Sequence, residues 1–256
     1  MIANYHTHTP RCKHAEGAEE SYIQAALDAQ MEILGFSDHA PQFYPDGRIS
    51  RIRMLPEELP EYVSTLQALR SQYGQRLQMH IGLETEYYPA LFPQLLSYAR
   101  DNGIEYLILG QHWCGNEIGE PYNGWETAEE DLLARYCHQV AEAMQTGLFT
   151  YIAHPDILNF VGDADVYAKH IRFLCKEAKN NQIPLEINLL GMANDKNYPN
   201  PSFWRIAGEE GCLTALGADA HKPEGLLVPE LEDRARVLVK ACDLQLLDKV
   251  QLQRIY

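Results

Sequence analysis

The stretch Asn4-Tyr5-His6-Thr7-His8-Thr9 ends a short apolar run and places two histidines two residues apart. In an extended strand, alternate side chains point to the same side, so His6 and His8 would present their imidazole rings together. Two such rings can bind one metal ion. A single His-x-His pair is a weak signal, but later apolar runs also end at, or just before, a His, Asp or Glu. The pair therefore predicts a metal site whose other ligands follow those later runs.

Short apolar runs alternate with segments of helical spacing along the whole chain. The predicted strands cover residues 2–5, 33–37, 77–87, 104–109, 150–153, 184–188 and 213–218. The predicted helices cover residues 18–31, 56–69, 92–100, 166–179, 201–210 and 231–241, and a further helix through residues 132–144 follows a capping box at residues 127–130. This alternation is typical of a parallel sheet with helical crossovers. Most of the strands are apolar throughout, which favours a barrel over an open sheet. We expect a single α/β domain over residues 1–256, built as a seven-stranded, TIM-like (β/α) barrel.

Composition excludes several classes of function. The chain has 256 residues and a formal net charge of -15 at pH 7, which argues against nucleic-acid and membrane partners because phosphate groups are bound by clustered Lys and Arg. No apolar run approaches the roughly 20 residues of a membrane-spanning helix. The six cysteines show no paired spacing and are interpreted as reduced thiols. With no targeting segment visible, we expect a cytoplasmic protein, either a monomer or a homo-oligomer.

Side chains that can bind metal ions follow the carboxyl ends of the predicted strands. In a parallel barrel these ends form one face of the molecule, so the side chains should meet there. They are His6, His8, His39, Glu84, His112, His154, Asp219 and His221, and His14 in the first loop can join them. A histidine after a strand often does no more than bond a backbone carbonyl, but of the 10 histidines only His80, His138 and His170 lie elsewhere. The set exceeds the roughly three or four ligands of one zinc ion. Several ions are therefore expected, and imidazole with carboxylate suits zinc, iron or manganese.

These residues resemble the ordered motifs of the polymerase and histidinol phosphatase (PHP) superfamily, and within it those of the monofunctional histidinol-phosphate phosphatases. The motifs are His6-Thr7-His8, Ser37-Asp38-His39, Gly82-Leu83-Glu84, Gly110-Gln111-His112, Ala153-His154-Pro155 and Gly217-Ala218-Asp219-Ala220-His221. Each motif alone is common, whereas the ordered set is specific. It runs from residue 6 to residue 221 and so covers most of the chain.

The resemblance implies a distorted seven-stranded barrel that holds three divalent metal ions (Zn, Fe or Mn) at its carboxyl-terminal rim. Carried over position by position, the first ion would be held by His6, His8, Glu84 and Asp219, the second by Glu84, His112 and His154, and the third by His14, His39 and His221. It also implies hydrolysis of L-histidinol phosphate to L-histidinol and phosphate in histidine biosynthesis. In that reaction Glu84 would bridge two ions, and Asp219 or His221 would carry a proton to the leaving group.

The sequence leaves open which residue binds the substrate phosphate. Histidinol phosphatases commonly offer an arginine in the loop after the sixth strand, whereas this loop contains Lys196. Lys196 can substitute as a point charge without the bidentate geometry of arginine. Arg48, Arg51 and Arg53 in the loop after the second strand are further candidates, although a solvated loop explains them equally well. Asn188 is a candidate for the wall of the substrate pocket.

Three other functions compete with this interpretation. A PHP phosphoesterase acting on another small phosphorylated metabolite is the nearest, because the expected arginine is missing. An amidohydrolase also begins with His-x-His on a barrel strand. The pairing of Asp219 with His221, the candidate ligands His14 and His39, and a last strand that is the seventh rather than the eighth argue against it. A metal-binding module without activity is the weakest alternative, since such modules tend to lose ligands.

Overall fold

Parallel strands, hydrogen-bonded to one another in the order in which they occur along the chain, form one sheet at the centre of the molecule. The structure is a computed structural model and describes residues 1–115, 117 and 119–256. The strands are β1 (Ala3–Asn4), β2 (Ile33–His39), β3 (Gln78–Thr85), β4 (Tyr106–Leu109), β5 (Phe149–Ile152), β6 (Leu185–Asn188), β7 (Leu213–Gly217) and β8 (Gln245–Leu246). The predicted α/β class with a parallel sheet is confirmed.

Helices connect the strands and pack their apolar sides against the sheet. They are α1 (Glu19–Asp28), α2 (Leu59–Tyr73), α3 (Phe92–Asp101), α4 (Glu130–Gln145), α5 (Ala164–Asn180), α6 (Leu189–Ala193), α7 (Pro201–Glu210) and α8 (Pro229–Ala241). Helix α4 shows the pattern, since Leu133, Tyr136 and Val140 recur at helical spacing and are buried. The capping box predicted to start at Thr127 is wrong, because Thr127 forms a bridge with Phe160, and Glu129 is the residue that precedes the helix.

The sheet has eight strands rather than the seven predicted. The additional strand, β8, pairs with the amino end of β7, and two residues are too few to produce a hydrophobic period in the sequence. Beyond the carboxyl ends of β1 and β7, Thr7 forms a parallel bridge with Ala220. The backbone N–H of His8 donates to the carbonyl of Ala220 at 2.9 Å. The chain segments after β1 and β7 therefore meet at the carboxyl-terminal rim.

Two apolar clusters pack on the two sides of the sheet. The larger one lies between the strands and the helices, and the smaller one includes Tyr5, Tyr106 and Tyr151 inside the curved sheet. Val250 joins the inner cluster from the C-terminal segment. The inner space is thus filled near the amino ends of the strands, which leaves their carboxyl ends as the place for a site. Among the described residues, no helix has the length and apolar character needed to cross a bilayer.

Candidate metal centre

Glu84, near the end of β3, lies at the centre of a cluster of histidines. Its Oε1 is 2.9 Å from Nε2 of His154 and 3.7 Å from Nε2 of His112. Its Oε2 is within 3.5 Å of three further nitrogens, which are His6 Nε2, His8 Nε2 and His39 Nδ1. These histidines follow or end β1, β2, β4 and β5, so strand ends far apart in sequence converge on one carboxylate.

Asp219, two residues beyond β7, forms the second carboxylate of the cluster. Its Oδ1 lies 3.1 Å from Nε2 of His8, 3.4 Å from Nε2 of His6 and 3.3 Å from Nδ1 of His221. Its backbone has a φ of 50°, a left-handed conformation that costs energy for a residue with a side chain. The turn therefore directs the Asp219 carboxylate toward the histidines that follow β1.

The third group consists of His14, His39 and His221, each of which offers one nitrogen within 4.8 Å of the other two. His14 Nε2 and His221 Nε2 are 3.0 Å apart. Nδ1 of His14 lies 2.7 Å from the carbonyl oxygen of Cys12, and this contact orients the ring. The structure thus brings all the candidate ligands from the sequence to one rim.

Several polar atoms of this cluster are buried without a hydrogen-bond partner. They are Nε2 of His6, Nε2 of His8, Nδ1 of His39, Oε2 of Glu84 and Oδ1 of Asp219. A buried polar atom without a hydrogen bond costs free energy. These nitrogens and oxygens lie 3.0 to 3.5 Å from one another but form no hydrogen bond of acceptable geometry. Nitrogen and carboxylate oxygen are ligands that zinc, iron and manganese accept. The donor set therefore fits divalent metal ions.

The charge balance of the cluster also favours a cation. Burial disfavours the charged form of His6, but the carboxylates of Glu186, Asp219 and Glu84 outweigh it and raise the pKa of His6 well above its usual value. For His39 burial dominates and holds the pKa well below the usual value. A neutral imidazole is the form that binds metal. The carboxylates thus attract positive charge, and the His39 ring is available as a ligand.

Carboxylates outside the candidate ligand set orient the histidines. Oε1 of Glu186, on β6, is 2.8 Å from Nδ1 of His6. Its Oε2 accepts hydrogen bonds at 3.0 Å from the backbone N–H of His154 and from the amide of Asn188. Such contacts fix the tautomer and direction of a ligating imidazole. Glu186 was missed at the sequence level, although a charged residue inside the apolar run Pro184-Leu185-Glu186-Ile187 was a usable signal.

Glu86 has a similar role for His112, and it is held by Arg53. Oε1 of Glu86 is 3.0 Å from Nδ1 of His112. Arg53, which is 1% exposed, donates to both oxygens of Glu86 at 2.8 and 3.0 Å and to Glu117 at 2.9 Å. Burial opposes ionisation of Glu86, but Arg53 and His112 lower its pKa to about 2. The guanidinium of Arg53 is therefore bound to carboxylates instead of facing a substrate.

Two glycines of the sequence motifs leave room for the buried carboxylates. A Cβ at Gly110 would lie 1.9 Å from Oε1 of Glu84. A Cβ at Gly217 would lie 1.7 Å from Oε1 of Glu186. Neither distance is compatible with a side chain, so the glycines before His112 and Asp219 are explained by the close approach of a carboxylate from the neighbouring strand.

A cavity of about 410 Å³ lies above the cluster. Besides the candidate ligands, its wall includes Trp113, Tyr122, Lys196 and Tyr198. Lys196 is the one Lys or Arg among the described residues of that wall.

The other candidate substrate contacts lie away from this cavity. The guanidinium of Arg48 pairs with Asp46 and lies over the ring of Tyr44, and Arg51 is exposed in the loop. Asn188 is buried below the cavity, where its amide donates to Asp219 at 3.1 Å and its oxygen accepts from the backbone N–H of Gly191 at the start of α6. In the described structure, Lys196 is thus the candidate best placed to meet an anion.

Comparison with known proteins agrees with this arrangement. Residues 4–189 match the family model described as the PHP domain. The chain belongs to the PHP family, and the resemblance noted from the motifs is confirmed.

Relatives and a solved structure extend over nearly the whole chain. A protein of Deinococcus radiodurans, named "Probable histidinol-phosphatase", is 33% identical over 231 residues, which is 87% of each chain. A protein of the same name from Schizosaccharomyces pombe is 30% identical over 255 residues, covering 87% of this chain and 81% of the relative. The crystal structure of histidinol phosphate phosphatase from Lactococcus lactis, complexed with zinc, L-histidinol and phosphate, has a TM-score of 0.72 at 17% identity and covers 98% of both chains.

Proposed function

We propose that the protein is a metal-dependent phosphomonoesterase that hydrolyses L-histidinol phosphate to L-histidinol and phosphate. The observation that supports this most strongly is the group of buried, unpartnered nitrogen and carboxylate atoms below a cavity whose wall contains Lys196. The names of the two relatives point to the same substrate.

Three divalent ions, of Zn, Fe or Mn, would occupy the cluster in this proposal. The ligand sets are His6, His8, Glu84 and Asp219 for the first ion, Glu84, His112 and His154 for the second, and His14, His39 and His221 for the third. Groups of donor atoms within 4.8 Å of one another support the first and third sets, since they include His6 with His8 and Asp219, and His14 with His39 and His221. For the second set, Glu84 and His154 belong to one such group together with His6, and Nε2 of His112 lies 3.7 Å from Oε1 of Glu84. When bound, the ions would supply positive charge to the phosphate oxygens and acidify the attacking water.

The protein's own residues would position the substrate and handle protons. The ammonium of Lys196 would attract the phosphate as a point charge. His221 lines the cavity and contacts Asp219, so either group is placed to pass a proton to the departing alkoxide. All these residues follow or belong to β1 to β7 or the connections between them, and β8 contributes none. The seven predicted strands would thus form the frame of the site.

The test is phosphate release from L-histidinol phosphate beside a panel of other phosphomonoesters, with the metals of the protein counted beforehand. We expect a strong preference for L-histidinol phosphate and loss of turnover on chelation, restored by adding back a divalent metal. Because substrate binding depends on a cavity as well as on metal, the preference should appear in kcat/KM. Equal turnover of every ester would contradict the assigned substrate, and full activity after complete metal removal would contradict the metal centre.

A further inference from the structure

Residues 194–200, which connect α6 to α7, form part of the cavity wall. This segment contributes Asn194, Lys196 and Tyr198 to the cavity. The ring of Tyr198 lies 5.7 Å, between centroids, from that of His154. Lys196 is exposed, and its ammonium forms no ion pair with the residues that the structure describes. Its place over the cluster therefore depends on how the backbone of the segment is held.

Asp156 binds the end of that segment that leads into α7. It is 2% exposed and lies two residues after His154, in the loop after β5. Its Oδ2 accepts hydrogen bonds from the backbone N–H of Asn200 at 2.6 Å and from the indole N–H of Trp204 at 2.9 Å. Both donors belong to the start of α7. One buried carboxylate thus joins the loop after β5 to the end of residues 194–200.

A second contact ties the same loop to the middle of the segment. The amide of Asn197 donates to the carbonyl of Ile157 at 2.9 Å and to that of Asp156 at 3.3 Å. Asn197 stands between Lys196 and Tyr198, the two residues that face the cavity. Asp156 itself is absent from the described cavity wall, so any effect it has on substrate must pass through its neighbours.

We propose that Asp156 is a positioning residue, which holds residues 194–200 so that Lys196 and Tyr198 stand over the cluster of histidines and carboxylates. This inference deepens the proposed function and rests on it for the role of the cavity. The side chain is suited to the task, because one oxygen, Oδ2, accepts hydrogen bonds from both donors at the start of α7. Removal of the Asp156 side chain would leave a backbone N–H and an indole N–H without an acceptor. Residues 194–200 would then lose the contacts that hold them in place.

The test is a double-mutant cycle between Asp156→Ala and Lys196→Ala in the metal-loaded protein. Each variant is assayed for KM and kcat with L-histidinol phosphate and for the Kd of inorganic phosphate. We expect Asp156→Ala to raise KM and Kd by roughly tenfold and to lower kcat by less than about threefold, since it removes positioning and leaves the ligand set intact. In the Lys196→Ala background, Asp156→Ala should raise KM and Kd by less than about twofold, because the charge that Asp156 positions is already absent.

Matched variants keep the test decisive. In Asp156→Asn the amide oxygen can take the place of Oδ2 and accept both hydrogen bonds, so KM and Kd should stay within about twofold of wild type. If Asp156→Ala does not fold, Trp204→Phe serves instead, because it removes one of the two donors to Asp156. We expect Trp204→Phe to raise KM and Kd about threefold, and this rise to disappear in the Lys196→Ala background. Multiplicative effects of Asp156→Ala and Lys196→Ala, or a loss of bound metal with unchanged KM and Kd, would overturn the positioning role. The phosphate Kd separates the two proposals, because it tests Asp156 even if L-histidinol phosphate is not the substrate.

Discussion

At the scale of single residues, Glu84 is the group on which the candidate centre depends. Its two oxygens face five histidines, and both are buried. Burial disfavours its ionised form, but His39, His6 and His112 outweigh that effect and hold its pKa well below the usual range. Such a carboxylate could hold a divalent metal ion together with the imidazoles around it.

Replacing this carboxylate tests the ligand assignment. We expect Glu84→Gln to lose metal from two of the three proposed positions and to lower turnover more than about 100-fold, since the loss of an outer carboxylate already costs roughly 10–100-fold. The fold should persist, because the amide is isosteric. Metals counted by mass spectrometry, turnover and circular dichroism provide the measurement. Glu142→Gln, an exposed carboxylate on α4, is the control and should behave as wild type. Full activity in Glu84→Gln would exclude Glu84 from the centre.

At the scale of strands and helices, the site depends on how closely neighbouring strand ends approach. Strand β3 pairs with β4 so that Thr85 lies opposite Leu109, which places Gly110 beside the side chains at the end of β3. Strand β6 pairs with β7 so that Asn188 lies opposite Gly217. Because side chains at alternate positions share one face, Glu84 and Glu186 point inward where the neighbouring strand has a glycine.

This packing gives a prediction for Gly110→Ala. The added methyl group would lie 1.9 Å from Oε1 of Glu84, so the carboxylate must move. We expect a loss of metal and activity similar to that of Glu84→Gln, with a loss of unfolding free energy of about 1–3 kcal/mol from overpacking. Gly225→Ala is a milder comparison, because its methyl group would come no closer than 3.3 Å to the described atoms, so that Ala220 would have to shift by only a few tenths of an ångström. Unchanged metal content in Gly110→Ala would show that Glu84 does not need its present position.

At the scale of the whole molecule, the C-terminal segment covers the amino ends of the strands. Arg254 forms a bridge with Tyr106 and donates to Glu105 at 3.0 Å. Glu105 also contacts Arg70 on α2 and lies 3.0 Å from Nδ1 of His80 on β3. His80 was interpreted as structural, and its contact at the end of the sheet opposite to the metal centre agrees with that interpretation. One carboxylate thus links the chain end to a helix and to two strands of the sheet.

The pH dependence of stability tests this linkage. Burial raises the pKa of Glu105, but His80, Arg70 and Arg254 outweigh it and lower the pKa to about 2. A depressed carboxyl pKa stabilises the fold above the unfolded value of about 4.3, and this contribution is lost as the pH falls from there toward 2. We expect Glu105→Gln to reduce the free energy of unfolding at pH 7 by about 1–3 kcal/mol, and the difference from wild type to shrink below pH 4.3. Urea unfolding of metal-free wild type and variant at pH 7, 5 and 3 measures it. A difference that stays constant over this range would contradict the linkage.

Much of the architecture could be predicted because it depends on local patterns. Short apolar runs and helical spacing indicated the parallel sheet and its crossovers, and a His, Asp or Glu after a run indicated the rim. Features without such a pattern were missed. Strand β8 has two residues, and the five-residue helix α6 is too short for a period, although the amide oxygen of Asn188 caps it.

Hydrophobic periodicity and the order of motifs are properties of the amino-acid chain, so the fold class, the family and the positions of the candidate ligands could be predicted without a structure. Which polar residues lie next to one another depends on how the folded chain packs. Arg53, one of several candidate substrate contacts, is buried against Glu86 and Glu117, while Lys196 faces the cavity. No sequence motif marks Glu186 or Asp156 apart from an acidic residue next to apolar ones, since their hydrogen-bond partners come from distant parts of the chain. Buried charges must find partners wherever the packing places them, and that packing depends on contacts distant in sequence.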